Sequence, residues 1–238
     1  MKKHLPNLFT LLNLVSGGVG ALWALQGYLT HAAACLWLGA FFDVLDGLLA
    51  RLLGVCSPLG RQLDSLADLL TFGWLPASIM YVLIGQQTGS LFLPYVALCI
   101  PVLAALRLAR FNLDAHQQQR LFVGLPAPAQ GLLISTLPWI VAADKYPWLT
   151  RWLAQPYSLV ALVLVTACLM VANVRLMAFK FTTYAWYPNR LKYGFLLTAA
   201  VLVLLLQAEG LALSIVGYIF VSIINSRFIH SNSASNAT

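Results

Sequence analysis

Four of the seven acidic side chains in this 238-residue chain fall within 26 positions, as Asp43, Asp46, Asp64 and Asp68. Carboxylates among apolar residues are costly and rarely persist there without partners. Asp43, Asp46, Gly47 and Ala50 stand at i, i+3, i+4 and i+7, one face of a helix, with Arg51 at its edge. Gly60, Asp64 and Asp68 are spaced by four and form a second stripe. A short turn around Cys56-Ser57-Pro58 makes the two helices antiparallel neighbours, so the stripes can face each other and four carboxylates converge. Like charges this close repel or take up protons unless cations sit between them. Oxygen ligands without His or Cys suit Mg²⁺ or Mn²⁺ rather than zinc. Two such ions ~4 Å apart would clamp a pyrophosphate and stabilise both oxygens of an in-line displacement. Gly47 and Ala50 leave room for a nucleotide at the helix backbone, and Arg51 can pair with phosphate. The same acids also fit intramembrane ion pairs or the lining of an ion or metabolite path. That alternative gives no reason for small residues and Arg at these spacings.

The elements that must carry these stripes are membrane helices. The chain is 61% hydrophobic and only 9% charged, too little polar surface to cover a soluble globule of this size. Apolar runs approach the roughly 20 residues that span a hydrocarbon core as helix, and barrel-type alternation is absent. Eight candidate spans cover about 8–28, 32–54, 60–85, 91–113, 126–143, 157–179, 191–207 and 211–228. Turn residues separate them, including Gly85-Gln86-Gln87-Thr88-Gly89, Gly124-Leu125-Pro126 and Tyr187-Pro188-Asn189. The expected fold is an all-α, polytopic membrane bundle of about eight helices, or six or seven if 126–143 is re-entrant. Residues 1–230 form one membrane domain, with 231–238 a short polar tail.

The first run follows Met1-Lys2-Lys3-His4 without a convincing cleavage site and reads as a retained helix. Cys35, Cys56, Cys99 and Cys168 lack CxxC spacing and read as small buried hydrophobes. The glycine cluster Ser16-Gly17-Gly18-Val19-Gly20 has no P-loop Lys after it and reads as a helix-packing surface. A net charge of +7 reflects loop residues rather than nucleic-acid binding. With eight spans, twelve of the fourteen Lys and Arg residues fall on the side of the termini, leaving Lys145 and Arg151 opposite. That asymmetry makes the acid-bearing connection cytoplasmic and places the chain in the cell membrane.

Asp43-x2-Asp46-Gly47-x2-Ala50-Arg51-x8-Gly60-x3-Asp64-x3-Asp68 resembles the complete signature of the CDP-alcohol phosphatidyltransferases. The resemblance implies that Asp43 and Asp64 bridge two divalent metals, that Asp46 completes the first metal site, and that Asp68 joins the second. It further implies that Asp68 takes the proton of the acceptor hydroxyl. Gly47, Ala50, Arg51, Ser57 and Gly60 would contact the CDP-lipid, with Asn7 and Thr10 at the entrance to the first helix. A homodimer is implied as well.

The acceptor is read from other segments. Leu63 to Gly73, Arg107-Leu108-Ala109-Arg110-Phe111-Asn112, Phe122 to Pro128 and Asn173-Val174-Arg175 resemble the phosphatidylserine synthase branch. This implies CDP-diacylglycerol and L-serine as substrates. Free serine carries a carboxylate, which Arg107, Arg110 or Arg175 can recognise, best as a bidentate pair. The same arginines equally serve as interfacial anchors or lipid-phosphate contacts. Ala178 and Gln130 depart from the branch, and glycerol phosphate, inositol or choline stay open as acceptors.

Overall fold

The computed structural model describes residues 4–55, 57–116, 124–172 and 186–235. Helix α1 (Leu5–Leu25) starts with Pro6 in its first turn, where a missing N–H costs nothing. It ends at Gly27, whose φ of +89° is the left-handed conformation that glycine adopts without strain. Gly27 N–H donates to the Ala24 carbonyl and Tyr28 N–H to the Trp23 carbonyl, both at 2.9 Å, closing a Schellman motif. Helix α2 (Leu29–Leu52) ends the same way at Gly54, with Gly54 N–H on Arg51 O and Val55 N–H on Ala50 O. Ser57 then caps α3 (Pro58–Asp68), its Oγ accepting from Gly60 N–H at 2.9 Å. Two glycine stops and one serine cap therefore fold α1, α2 and α3 into antiparallel neighbours.

Beyond Asp68 the helix does not stop. A π-helical segment, Leu69–Trp74, leads into α4 (Leu75–Gln87), so Pro58–Gln87 is one continuous 30-residue helix. It is the central rod of the molecule, with 67% of its most apolar window buried against 22–39% for the other three long apolar helices. Phe72, Leu75, Ile79, Met80 and Ile84 point from it into the core, where Ile100, Ile134, Leu159 and Met170 of later helices and Leu125 of the turn before α6 join them. A 3₁₀ segment (Leu93–Leu98) opens α5 (Cys99–His116). There follow α6 (Ala127–Ala143), α7 (Pro147–Leu153), α8 (Pro156–Val171), α9 (Trp186–Leu206) and α10 (Ala208–Ser235). Helix α10 packs on α9 and α6.

The described residues contain no strand, as expected for an all-α chain. Where they are described, the eight apolar runs lie mainly on helical segments, and residues 173–179 of the sixth lie outside the described residues. Four helices are long and apolar enough to cross a membrane, Leu5–Leu25, Leu29–Leu52, Pro58–Gln87 and Leu93–Leu113. A fifth span results if α7 and α8, bent by 78°, act as one. Ala127–Ala143, Leu197–Leu206 and Ala208–Ser222 are apolar but shorter. Large apolar side chains such as Leu22, Val44, Leu52 and Leu204 are exposed on the helices. An apolar surface of this extent needs lipid rather than water around it. The chain is a multi-pass membrane protein.

The glycine cluster packs helices closely. A Cβ on Gly20 would lie 2.8 Å from both Cys35 Cβ and Leu75 Cδ2, while Ser16 Oγ donates to the Cys35 carbonyl at 2.7 Å. The cysteine expectation needs correction. Cys35 is buried and Cys99 half-buried, but Cys168 is exposed on α8, on a face that no described residue covers; Cys56 lies outside the described residues.

Candidate active site

The three antiparallel helices bring the two acidic stripes together at the end of the bundle where α2 turns into α3. One carboxylate oxygen from each of Asp43, Asp64 and Asp68 lies within 4.8 Å of the other two. Asp46 stands slightly apart. It is almost completely buried, and Thr10 Oγ1 of α1 donates to its Oδ2 at 2.7 Å. The same hydroxyl lies 3.2 Å from the Pro6 carbonyl. One proton serves one acceptor at a time, and the shorter contact to the charged oxygen is the stronger.

These acids border a cavity of about 730 Å³. Its walls include Asn7, Thr10, Asp43, Asp46, Gly47, Ala50, Arg51, Ser57, Gly60 and Asp64, every residue placed at a nucleotide-lipid or metal site by sequence except Asp68, which is not part of the lining but lies within reach of Asp43 and Asp64. The two glycines shape it differently. A Cβ on Gly47 would meet nothing within 4 Å, so the space over it is open to a ligand. A Cβ on Gly60 would sit 3.0 Å from Asn7 Oδ1 and 3.0 Å from Ser57 Oγ, so Gly60 lets α1 close against the start of α3. Ser57 is already engaged as the helix cap, which fixes its hydroxyl at the cavity wall. Arg61 also lines the cavity, opposite Arg51 in sequence across the turn. Sequence reasoning gave Arg61 no site role; its one signal was a cation directly after Gly60.

Asp68 is half-buried, and its Oδ1 is buried with no hydrogen-bond donor among the described residues. Such an oxygen is expensive to keep unless a cation or donor reaches it. Three carboxylates in mutual reach, one with a bare buried oxygen and none grouped with His or Cys among the described residues, fit a hard divalent cation.

The candidate acceptor residues divide. Arg107 of α5 is half-buried within electrostatic reach of Asp68, and its Nε has no partner among the described residues. Arg110, one turn on, is exposed. Arg175 lies outside the described residues. Asn112 Nδ2 donates to Ser65 Oγ at 2.9 Å and ties this end of α5 to α3. Gln130 is fully buried, and its Nε2 donates to Thr166 Oγ1 at 3.1 Å, so the departure from a small residue has a partner on α8.

Comparison with known proteins places this geometry. The chain is 30% identical over 201 residues to CDP-diacylglycerol–serine O-phosphatidyltransferase of Helicobacter pylori, covering 84% of this chain and 78% of that one. It is 33% identical over 142 residues to the Bacillus subtilis protein of the same name, 56% of this chain and 75% of that one. The Saccharomyces cerevisiae protein of that name is 35% identical over 155 residues, 58% of this chain and 54% of that one. Residues 3–160, which hold α1 to α5 and every residue of the acidic site, match the profile of the CDP-alcohol phosphatidyltransferases, and the chain belongs to that family.

Proposed function

We propose that the chain transfers the phosphatidyl group of CDP-diacylglycerol to L-serine, giving phosphatidylserine and CMP. The observation that carries the reading is the approach of Asp43, Asp64 and Asp68 to within 4.8 Å beside a cavity lined by Arg51 and Arg61. The names of these relatives, all serine O-phosphatidyltransferases, favour serine among the possible alcohols.

Asp43, Asp46, Asp64 and Asp68 would hold two divalent cations, Mg²⁺ or Mn²⁺, which when bound neutralise the pyrophosphate and stabilise the departing CMP oxygen. The acyl chains stay in the bilayer, and the nucleotide head lies in the cavity over Gly47 and Ala50. Asn7 and Thr10 meet it from α1, beside Ser57 and Gly60. Arg51 pairs with phosphate. Asp68 joins the acids of the cavity wall and also lies within electrostatic reach of Arg107 of α5, which favours entry of serine from the α5 side. Arg107 holds its carboxylate, with Arg110 and Arg175 as further candidates, while Asp68 accepts the hydroxyl proton. The serine oxygen bonds to the phosphorus attached to diacylglycerol, the bond to the CMP phosphate oxygen breaks, and no protein nucleophile intervenes. A site open to the cytoplasm follows from the distribution of basic residues, and a homodimer from the family resemblance.

The test is CMP release by purified protein in lipid nanodiscs. Release should require CDP-diacylglycerol, Mg²⁺ or Mn²⁺, and serine together, and should vanish in Asp43→Ala. Undiminished release from that variant would defeat the catalytic assignment. Competition among labelled serine, glycerol phosphate, inositol and choline, with the lipid product identified, tests the acceptor.

A further inference from the structure

The carboxylate layer rests on a second layer one helical turn deeper. Asn13 of α1 lies three residues past Thr10, Gly39 of α2 four residues before Asp43, and Thr71 three residues past Asp68. Thr71 is fully buried in the π-helical segment, and its Oγ1 donates to the Asn13 carbonyl at 3.0 Å. Its side chain occupies a slot that only glycines leave open. A Cβ on Gly17 would collide with Thr71 Oγ1 and lie 2.8 Å from Thr71 Cα, and one on Gly39 would lie 2.6 Å from Thr71 Cγ2. Asn13 is itself fully buried, and its amide has no partner among the described residues, an uncompensated polar group directly beneath the acids.

A π turn holds one more residue than the α turn it replaces, so it rotates everything on one side of it relative to the other, and such turns recur at functional sites. Here it separates Asp64 and Asp68 from the deeply buried rod Leu75–Gln87. The rod is anchored in the core; the acids must meet Asp43 on another helix. We propose that Thr71, seated between Gly17 and Gly39 and bonded to Asn13, is a positioning residue that sets the rotation at which Asp64 and Asp68 meet Asp43 to bind divalent metal. The inference rests on the metal reading above and extends it to a residue that touches no ligand.

Thr71→Val replaces the hydroxyl with a methyl that would meet the Asn13 carbonyl about half an ångström inside an optimal non-bonded contact, so the π segment must shift. Thr71→Ser keeps the donor. The measurement is Mn²⁺ binding to purified protein in nanodiscs, read from the electron paramagnetic resonance of free Mn²⁺, with Asp43→Ala defining the site-bound fraction. Thr71→Val should bind Mn²⁺ about tenfold more weakly while still folded at the temperature of the measurement, as supporting residues behind metal ligands do, and Thr71→Ser should restore wild-type affinity. If Thr71→Val does not fold, Thr71→Ala, which adds no new contact, carries the same comparison. Wild-type affinity in the variant lacking the hydroxyl, or equal loss in Thr71→Ser, overturns the positioning role alone. Absence of Asp43-dependent Mn²⁺ binding in the wild type overturns the metal reading, and this inference with it.

Discussion

The nucleotide-side and acceptor-side regions are built on opposite plans. Around the cavity, α1, α2 and α3 touch through glycines and short polar side chains, and the hydroxyls of Thr10 and Ser57 are each committed to a hydrogen bond. On the α5 side one half-buried guanidinium, Arg107, stands near Asp68 with one nitrogen unpaired among the described residues, and Arg110 is in the open. A diphosphate needs rigid charge at fixed spacing, which close-packed helices supply without reorganisation. A small zwitterion can be held by one well-placed cation. Under the proposed function, reaction class is written into a tight three-helix junction, whereas acceptor choice would hang on few contacts and be easier to alter.

The largest effect that would break this comparison lies in the junction. Asp64→Ala removes a carboxylate from the triad and should lower turnover by at least about three orders of magnitude, because several kcal/mol of charge stabilisation leave with the ligand. Activity within tenfold of wild type would show that the junction does not carry the chemistry. The next effect sharpens the acceptor side. Arg107→Gln should raise KM for serine by roughly 10- to 100-fold, the loss of a charge-assisted pair, with KM for CDP-diacylglycerol nearly unchanged. Arg110→Gln should change neither by more than about threefold, as an exposed charge contributes little. Equal effects from both would remove the distinction between them. The smallest is structural. Gln130→Ala removes the bond to Thr166 and leaves a gap between α6 and α8, and should lower stability by about 1–3 kcal/mol with kcat unchanged. A selective change in serine KM would instead move Gln130 into the acceptor site.

The helical course of the chain was legible in its residues because apolar runs and breakers act locally. Gly27 and Gly54 stop helices through a backbone conformation that needs no Cβ, and Ser57 with Pro58 starts the next one. The number of crossings was less legible. Hydropathy alone cannot distinguish a full span from the shorter Ala127–Ala143, or reveal the 78° bend between α7 and α8. Nor does composition tell which cysteine faces the core, since Cys168 is exposed on an equally apolar helix.

At the site, spacing already put Asp43 with Asp46 and Asp64 with Asp68 on single helix faces, because 3.6 residues per turn leaves no other arrangement once the segments are helical. What each acid meets depends on groups distant in sequence. Packing of α1 gives Asp46 the Thr10 hydroxyl and leaves Asp43, Asp64 and Asp68 to converge. The nearness of Asp68 to Arg107 awaits α5. The π turn at Leu69–Trp74 is invisible in an unbroken apolar run, since α and π windings suit the same side chains locally. It coincides with the seating of Thr71 between Gly17 and Gly39, contacts between residues 32 to 54 positions apart. Periodicity is a property of one helix, whereas register between helices is settled by whichever atoms are small enough to let them meet.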